Sequence, residues 1–140
     1  MRIEKSFFKA EEVFFIGYSR KHSAFCKRVK EAFEKTGARV YPVNPRGGTG
    51  EVEVYRSPEE AGAKPSFAYI LTNKAVTSTL VDGLAAAGVK RVLFNSPLSV
   101  DAATLDRCTA LGMETAVACP LMALGGGIHR VHGFLAGVRG

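Results

Sequence analysis

Gly17-Tyr18-Ser19-Arg20-Lys21-His22-Ser23 places one glycine, two serine hydroxyls, two cations and an imidazole in seven consecutive residues. Such a set suits a bound phosphate: hydroxyls and cations donate charge-assisted hydrogen bonds, and a glycine lets the backbone come close. A second polar stretch, Asn44-Pro45-Arg46, adds a guanidinium, whose fork of donors can engage two oxygens of a phosphomonoester at once. Thr72-Asn73 and Asn95-Ser96 supply further amides and hydroxyls at equivalent places later in the chain. Each group has a plainer competing role: a solvated charged turn for Arg20 and Lys21, an Asx turn for Asn44-Pro45, and helix capping for Thr72 and Asn73.

Residues for bond-making are sparse. His22, His129 and His132 are the only histidines; the last two share a helix face at i, i+3, but no cysteine or carboxylate nearby in sequence completes a metal set. Cys26, Cys108 and Cys119 have neither an even count nor metal-ligand spacing, which argues for reduced thiols over a disulfide framework or zinc site. No catalytic and no metal-ligating residue is assigned on this reading. His22 could add a pH-dependent contact to the phosphate turn. With Ser23 as the N-cap of the following helix, Cys26 would sit at N3, where the helix field and Lys27 would lower its thiol pKa and open a mixed disulfide with a thiol ligand. The competing role for Cys26 is a small buried apolar residue.

These groups are positioned by alternating strands and helices. Val13, Phe14, Phe15 and Ile16 form an apolar run that stops at Gly17, as in a parallel strand covered on both faces. Phe25, Val29, Ala32 and Phe33 follow at i, i+4, i+7 and i+8, one apolar stripe of a helix that Gly37 ends. Val40, Tyr41 and Val43 return as a second strand parallel to the first, completing a β-α-β unit. A short edge strand is expected over 51–55 and a capped short helix at Ser57-Pro58-Glu59-Glu60. Further strands are expected over 67–71, 91–94 and 113–118. Between them lie a helix capped by Thr72 or Asn73, with Val76, Leu80, Val81 and Leu84 as its stripe, and a helix capped by Ser99 or Asp101. Gly125-Gly126-Gly127 leads into a last amphipathic helix carrying Ile128, Val131 and Leu135. The pattern predicts an open α/β fold, doubly wound, with a mostly parallel sheet of five to six strands, helices on both faces and the order 3-2-1-4-5-6. In such sheets ligands bind at the carboxyl ends of the strands, where all the polar stretches above are placed.

The dinucleotide fingerprint needs three glycines in G-x-G-x-x-G and an acidic residue at the end of the second strand. Only Gly17 fills that pattern, and the second strand ends in Val43-Asn44-Pro45-Arg46, which disfavours plain NAD. Instead, Ile16-Gly17-Tyr18-Ser19, Ser23, Val40-Tyr41-Pro42-Val43-Asn44-Pro45 and the later Cys119-Pro120 resemble the small stand-alone CoA-binding proteins, whose Rossmann-like domain is shared with the α subunit of succinyl-CoA synthetase. The Pro-Val-Asn-Pro strand end of that family is matched fully, while Tyr18 stands where a small residue is usual; the likeness covers about residues 12 to 120. The resemblance implies that coenzyme A or an acyl-CoA lies along the strand ends. Gly17, Tyr18, Ser19 and Ser23 would then hold the pyrophosphate through backbone N–H groups and hydroxyls. Arg20, Lys21 and Arg46 would be the counter-charges, and Asn44, Pro45, Thr72, Asn73 and Asn95 would complete the cofactor set. The phosphohistidine of CoA-forming ligases belongs to a second domain, so the resemblance implies binding without catalysis.

At 140 residues the chain is expected to form a single domain, with 1–11 an N-terminal arm carrying Phe7 and Phe8, and 121–140 a C-terminal helical extension. The composition, 46% hydrophobic and 23% charged with 15 glycines, excludes a low-complexity chain. The absence of a long apolar run excludes a membrane span, and the charged N-terminus argues against a signal peptide, so a cytoplasmic location is expected. The net charge of +6 favours an anionic partner. The cations are dispersed and no nucleic-acid-reading motif is present, so a small-molecule nucleotide cofactor is expected before nucleic acid. A homo-oligomer or an acyl-CoA enzyme is compatible as protein partner. Two other function classes remain open on the sequence: an NADP- or nucleotide-responsive regulatory domain, with Arg46 on a ribose phosphate, and an interaction subunit with a degenerate pocket.

Overall fold

The computed structural model describes residues 5–19, 22–47 and 52–124. Five parallel strands form one sheet: β1 (Glu12–Ile16), β2 (Arg39–Val43), β3 (Phe67–Ile70), β4 (Arg91–Phe94) and β5 (Glu114–Val117), in the order β2-β1-β3-β4-β5. Helices α1 (Ser23–Lys35), α2 (Pro58–Ala61), α3 (Lys74–Ser78), α4 (Val81–Ala86), α5 (Ala102–Ala110) and α6 (Pro120–Leu124) connect or flank them.

Because successive strand residues point to opposite faces, the sheet feeds two cores. Val13, Phe15, Phe67, Tyr69 and Leu93 enter one, together with Cys26, Val29 and Phe33 of α1 and the partly buried Leu121 and Leu124 of α6. Phe14, Ile16, Ala68, Ile70 and Phe94 enter the other, against Val81 and Leu84 of α4 and Leu105 and Cys108 of α5. Strands buried on both faces explain the unbroken apolar runs of the sequence. In the N-terminal arm, Phe7 and Phe8 are buried; Phe7 meets Phe67 edge-on at 5.5 Å between centroids. Arg91 clamps this arm from below, donating to the carbonyls of Phe7 (3.1 Å) and Lys9 (2.7 Å).

Three local expectations change. The third strand expected over 51–55 is reduced to a single parallel bridge, Val43 with Tyr55. Pro42 supplies the reason: its carbonyl accepts from Tyr55 N at 2.8 Å, so its nitrogen faces the same outer edge and has no hydrogen to extend the ladder. The single helix expected across 74–87 is broken into α3 and α4. Ser78 Oγ donates to Ala75 O at 2.7 Å and Thr79 Oγ1 to Val76 O at 2.6 Å, side-chain bonds that compete with the helical ladder at the break. As a result Val76 leaves the apolar stripe and is exposed, while Thr77 is buried. Helix α1 takes His22, not Ser23, as its N-cap, without a side-chain capping bond. The cap at Ser57 forms as expected, Glu60 N donating to Ser57 Oγ at 3.3 Å, but the Glu60 carboxylate reaches one residue past the cap, where Arg56 N donates to its Oε2 at 3.2 Å. Asn73 and Asp101 cap α3 and α5. The last helix, with Ile128, Val131, Leu135, His129 and His132, lies outside the described residues.

Candidate functional site

All five strands run the same way, so the loops after Ile16, Val43, Ile70, Phe94 and Val117 meet on one edge. The order reverses at β1, whose neighbours β2 and β3 are reached by connections leaving in opposite directions; a crevice at such a switch point is where ligands sit in this architecture. Gly17 closes β1 with φ 91°, a conformation that L side chains rarely adopt. A Cβ at this position would stand 3.0 Å from Thr72 Cγ2 and 3.2 Å from Thr72 N, so the glycine also permits the loops after β1 and β3 to touch.

The turn after Gly17 is held from β2. Gly17 N (2.8 Å) and Tyr18 N (3.3 Å) both donate to Val43 O, and Ser19 N donates to Cys26 Sγ at 3.4 Å. These three amides are therefore engaged within the protein. The amides at the start of α1, at Ser23, Ala24 and Phe25, precede the first helical bond, Cys26 N to His22 O at 2.9 Å, and Ser23 and Ala24 are exposed. The side chain of Tyr18 turns into the core and meets Phe15 edge-on at 5.0 Å. Arg20 and Lys21 lie outside the described residues.

Asn44 ties the two loops together. Its Nδ2 donates to Tyr18 O at 2.9 Å, its Oδ1 accepts from Arg46 N at 3.0 Å, and its carbonyl accepts from Gly47 N at 2.7 Å. The Asx turn expected as the plainer role of Asn44-Pro45 is thus present, and it presents Pro45 and Arg46 exposed at the end of β2. Sequence reasoning missed Arg56. Its aliphatic stem lies across this turn, where a Cβ on Gly47 would come within 2.8 Å of Arg56 Cγ, so a second guanidinium accompanies Arg46. The only local signal for it is Gly47 itself, whose φ of 59° and lack of a side chain make room for the arginine.

At β3 and β4 the polar residues are more committed. Asn73 Oδ1 accepts from Val76 N at 2.9 Å as a helix cap, and Thr72 Oγ1 pairs with the buried Thr77 Oγ1 at 2.7 Å. Asn95 Oδ1 accepts from Tyr69 OH at 2.7 Å. Burial pushes the Tyr69 hydroxyl far above the usual phenol range, with the nearby Cys119 and Cys26 thiols adding to the effect, so it stays a neutral donor. Ser96 Oγ accepts from Leu98 N at 3.1 Å. Leu98, 78% exposed, stands on this rim.

Of the two roles open to Cys26, the structure takes the small buried apolar one. With His22 as N-cap, Cys26 falls one position deeper in α1, is fully buried, and burial raises its thiol pKa despite the Ser19 amide. Cys108, on the opposite core, is likewise pushed up to about 11 by burial. Among the described residues no group of three or more His, Cys, Asp or Glu could hold a metal ion, and no helix is long and apolar enough to cross a membrane.

A groove of about 710 Å³ lies between α1 and α6. Ala32, Leu121, Met122 and Leu124 line it, with Cys119 at the end nearest β5 and the exposed Arg28, Glu31 and Lys35 along α1.

A parallel, doubly wound sheet with a glycine turn after β1 and an Asx-locked end of β2 defines a Rossmann-like α/β class of domain. Within it, the chain belongs to the CoA binding domain family, whose model matches residues 11–125. Among solved structures it is similar to a redesigned binding protein, Prb, built on the PH1109 protein (19% identity, TM-score 0.74, 91% of this chain and 87% of that one). It is also similar to the cell-free ID.343 protein of Thermus thermophilus (17%, 0.74, 86% and 92%) and to a conserved hypothetical protein of Pyrococcus furiosus (18%, 0.66, 86% and 98%). At these identities the likeness is one of fold. No curated protein matches the chain.

Proposed function

We propose that this protein binds coenzyme A at the carboxyl edge of its sheet without carrying out chemistry on it. The observation that carries the reading is that, in a chain of the CoA binding domain family, Asn44 ties the Tyr18 turn that leads towards α1 to the end of β2, which exposes Arg46 and carries Arg56 across Gly47. The pyrophosphate sits on the amides and hydroxyl of the first turn of α1, including Ser23, with Arg20 and Lys21 as counter-charges. Gly17, Tyr18, Ser19 and Asn44 act by shaping this seat, since their polar backbone and amide groups bond to one another and to neighbouring strand and helix atoms. Arg46 and Arg56 take the ribose 3′-phosphate, and Pro45, Thr72, Asn73 and Asn95 border the path of the pantetheine arm. Cytoplasmic location and a partner handling acyl-CoA fit this role.

Calorimetric titration with CoA, dephospho-CoA and NADPH tests it. CoA should bind, dephospho-CoA should bind more weakly, and Arg20→Glu with Lys21→Glu should weaken CoA while leaving the melting temperature of the free protein unchanged. NADPH binding in preference to CoA would instead support a regulatory nucleotide domain, a reading favoured by Arg46 at the end of β2. No binding of any of the three would sink both and leave an interaction subunit.

A further inference from the structure

Tyr69 is fully buried in a layer with Phe15, Phe33 and Phe67, three rings that carry no polar atom. Its own ring meets Phe15 edge-on at 4.8 Å and lies 5.8 Å from Phe33, so the packing of this layer would be served as well by another phenylalanine. The hydroxyl answers to something else. It donates to Asn95 Oδ1 at 2.7 Å, and burial keeps it protonated, so it remains a donor. A donor aimed at one end of an amide fixes the other end: with Oδ1 turned towards Tyr69, Nδ2 faces away from it. The backbone of Asn95 is fixed too, its N–H donating to Ile70 O at 3.0 Å.

The asparagines of the carboxyl edge differ in what their side-chain amides do. Asn44 directs its Nδ2 at Tyr18 O, 2.9 Å away, within the protein. Asn73 caps α3 through its Oδ1 and is exposed, where water completes its bonding. Asn95 is half-buried, and among the described residues its one side-chain bond is that from Tyr69. An uncharged pair of N–H donors, with its own acceptor already engaged, suits a neutral oxygen such as an amide carbonyl better than a cation or a phosphate. CoA offers such oxygens in the amides of its pantetheine arm. Asn95 also stands beside the crevice: Ile70, to whose carbonyl it donates, leads into Thr72, the residue that Gly17 approaches across the switch between β1 and β3. We propose, on the basis of the CoA reading above, that Asn95 Nδ2 donates to an amide carbonyl of the pantetheine arm, and that Tyr69 is the positioning residue that turns the Asn95 amide outward.

Titration of the full chain with CoA and with adenosine 3′,5′-bisphosphate, a phosphorylated nucleotide without the pantetheine arm, tests this. Asn95→Ala should weaken CoA about fivefold, the size of one hydrogen bond, and leave the bisphosphate unchanged. Asn95→Asp keeps an acceptor for Tyr69 but removes the N–H donors, so it should weaken CoA relative to the bisphosphate by at least as much. Tyr69→Phe keeps the ring and should weaken CoA by about the same factor, yet add nothing to Asn95→Ala, because it acts through that side chain. The Asn95 variants, at a half-buried rim position, test the donor even if the Tyr69 variant folds poorly. CoA affinity that holds, relative to the bisphosphate, in both Asn95 variants overturns the assignment and leaves CoA binding standing. Losses from Tyr69→Phe and Asn95→Ala that multiply in the double variant overturn Tyr69 as the positioning residue. Failure of the unaltered protein to bind CoA removes the CoA reading and this assignment with it.

Discussion

At the amino edge of the sheet the chain seals itself with rings, whereas at the carboxyl edge it leaves turns, amides and arginines facing outward. Below, Phe7 and Phe8 close over Phe67, Phe67 meets Phe33 at 5.9 Å, and Arg91 lies 5.8 Å from the Phe67 ring centroid while holding the arm by two carbonyls. Above, hydrogen bonds hold the turns in place of rings: a carbonyl takes two amides, an asparagine crosses between loops and Tyr69 donates to Asn95, while Ser23, Pro45, Arg46 and Arg56 remain exposed. Both edges are made by the same five strands. The difference teaches that stability and recognition are segregated along the strand axis, so substitutions at one edge should move one property without the other.

The largest expected effect is at the sealed edge. Phe67→Ala removes a fully buried ring that three other phenylalanines and a guanidinium touch, and should cost about 3–5 kcal/mol in denaturant unfolding. Ligand affinity of the fraction that remains folded should be unchanged; a parallel loss of affinity would break the segregation. Gly17→Ala comes next and mixes the two properties. Its φ of 91° and the 3.0 Å approach to Thr72 Cγ2 predict a loss of at least about 2 kcal/mol together with weakened CoA binding, because the turn that shapes the seat must move. A loss below about 0.5 kcal/mol would mean that the loop after β3 yields at little cost.

The sealed edge and the sheet were legible in the sequence because they rest on local signals. Continuous apolar runs, the stripe on α1 and the cap residues Ser57, Asn73 and Asp101 each announce an element by short-range chemistry. The open edge was legible only as a location. Tyr18 reads as a ligand contact in a phosphate turn, and only its packing on Phe15 shows that the ring points inward. The amides of Gly17 and Tyr18 read as phosphate donors until Val43 O, 26 residues from Gly17 in number but adjacent across the sheet, accepts from both. Arg56 was invisible for the same reason, since nothing near it in sequence shows that Gly47 lies beneath its stem. Burial of Cys26 likewise outweighs the helix field that its position suggested.

The smallest expected effect on stability, and the sharpest test of the contrast, is at Arg46 and Arg56. Both side chains are exposed, so Arg46→Gln and Arg56→Gln should each change unfolding by less than about 0.5 kcal/mol. Their effect on a ligand is of another order, because a phosphomonoester that loses a two-pronged, charge-assisted contact has no neutral side chain of equal reach to replace it. CoA affinity should fall about tenfold in the double variant, which corresponds to roughly 1.4 kcal/mol. The fall should shrink as salt is raised, and it should be absent for dephospho-CoA, which lacks the group these arginines serve. Equal losses for both ligands would place the arginines on the pyrophosphate instead, moving the seat from the first turn of α1 towards the Asn44 turn.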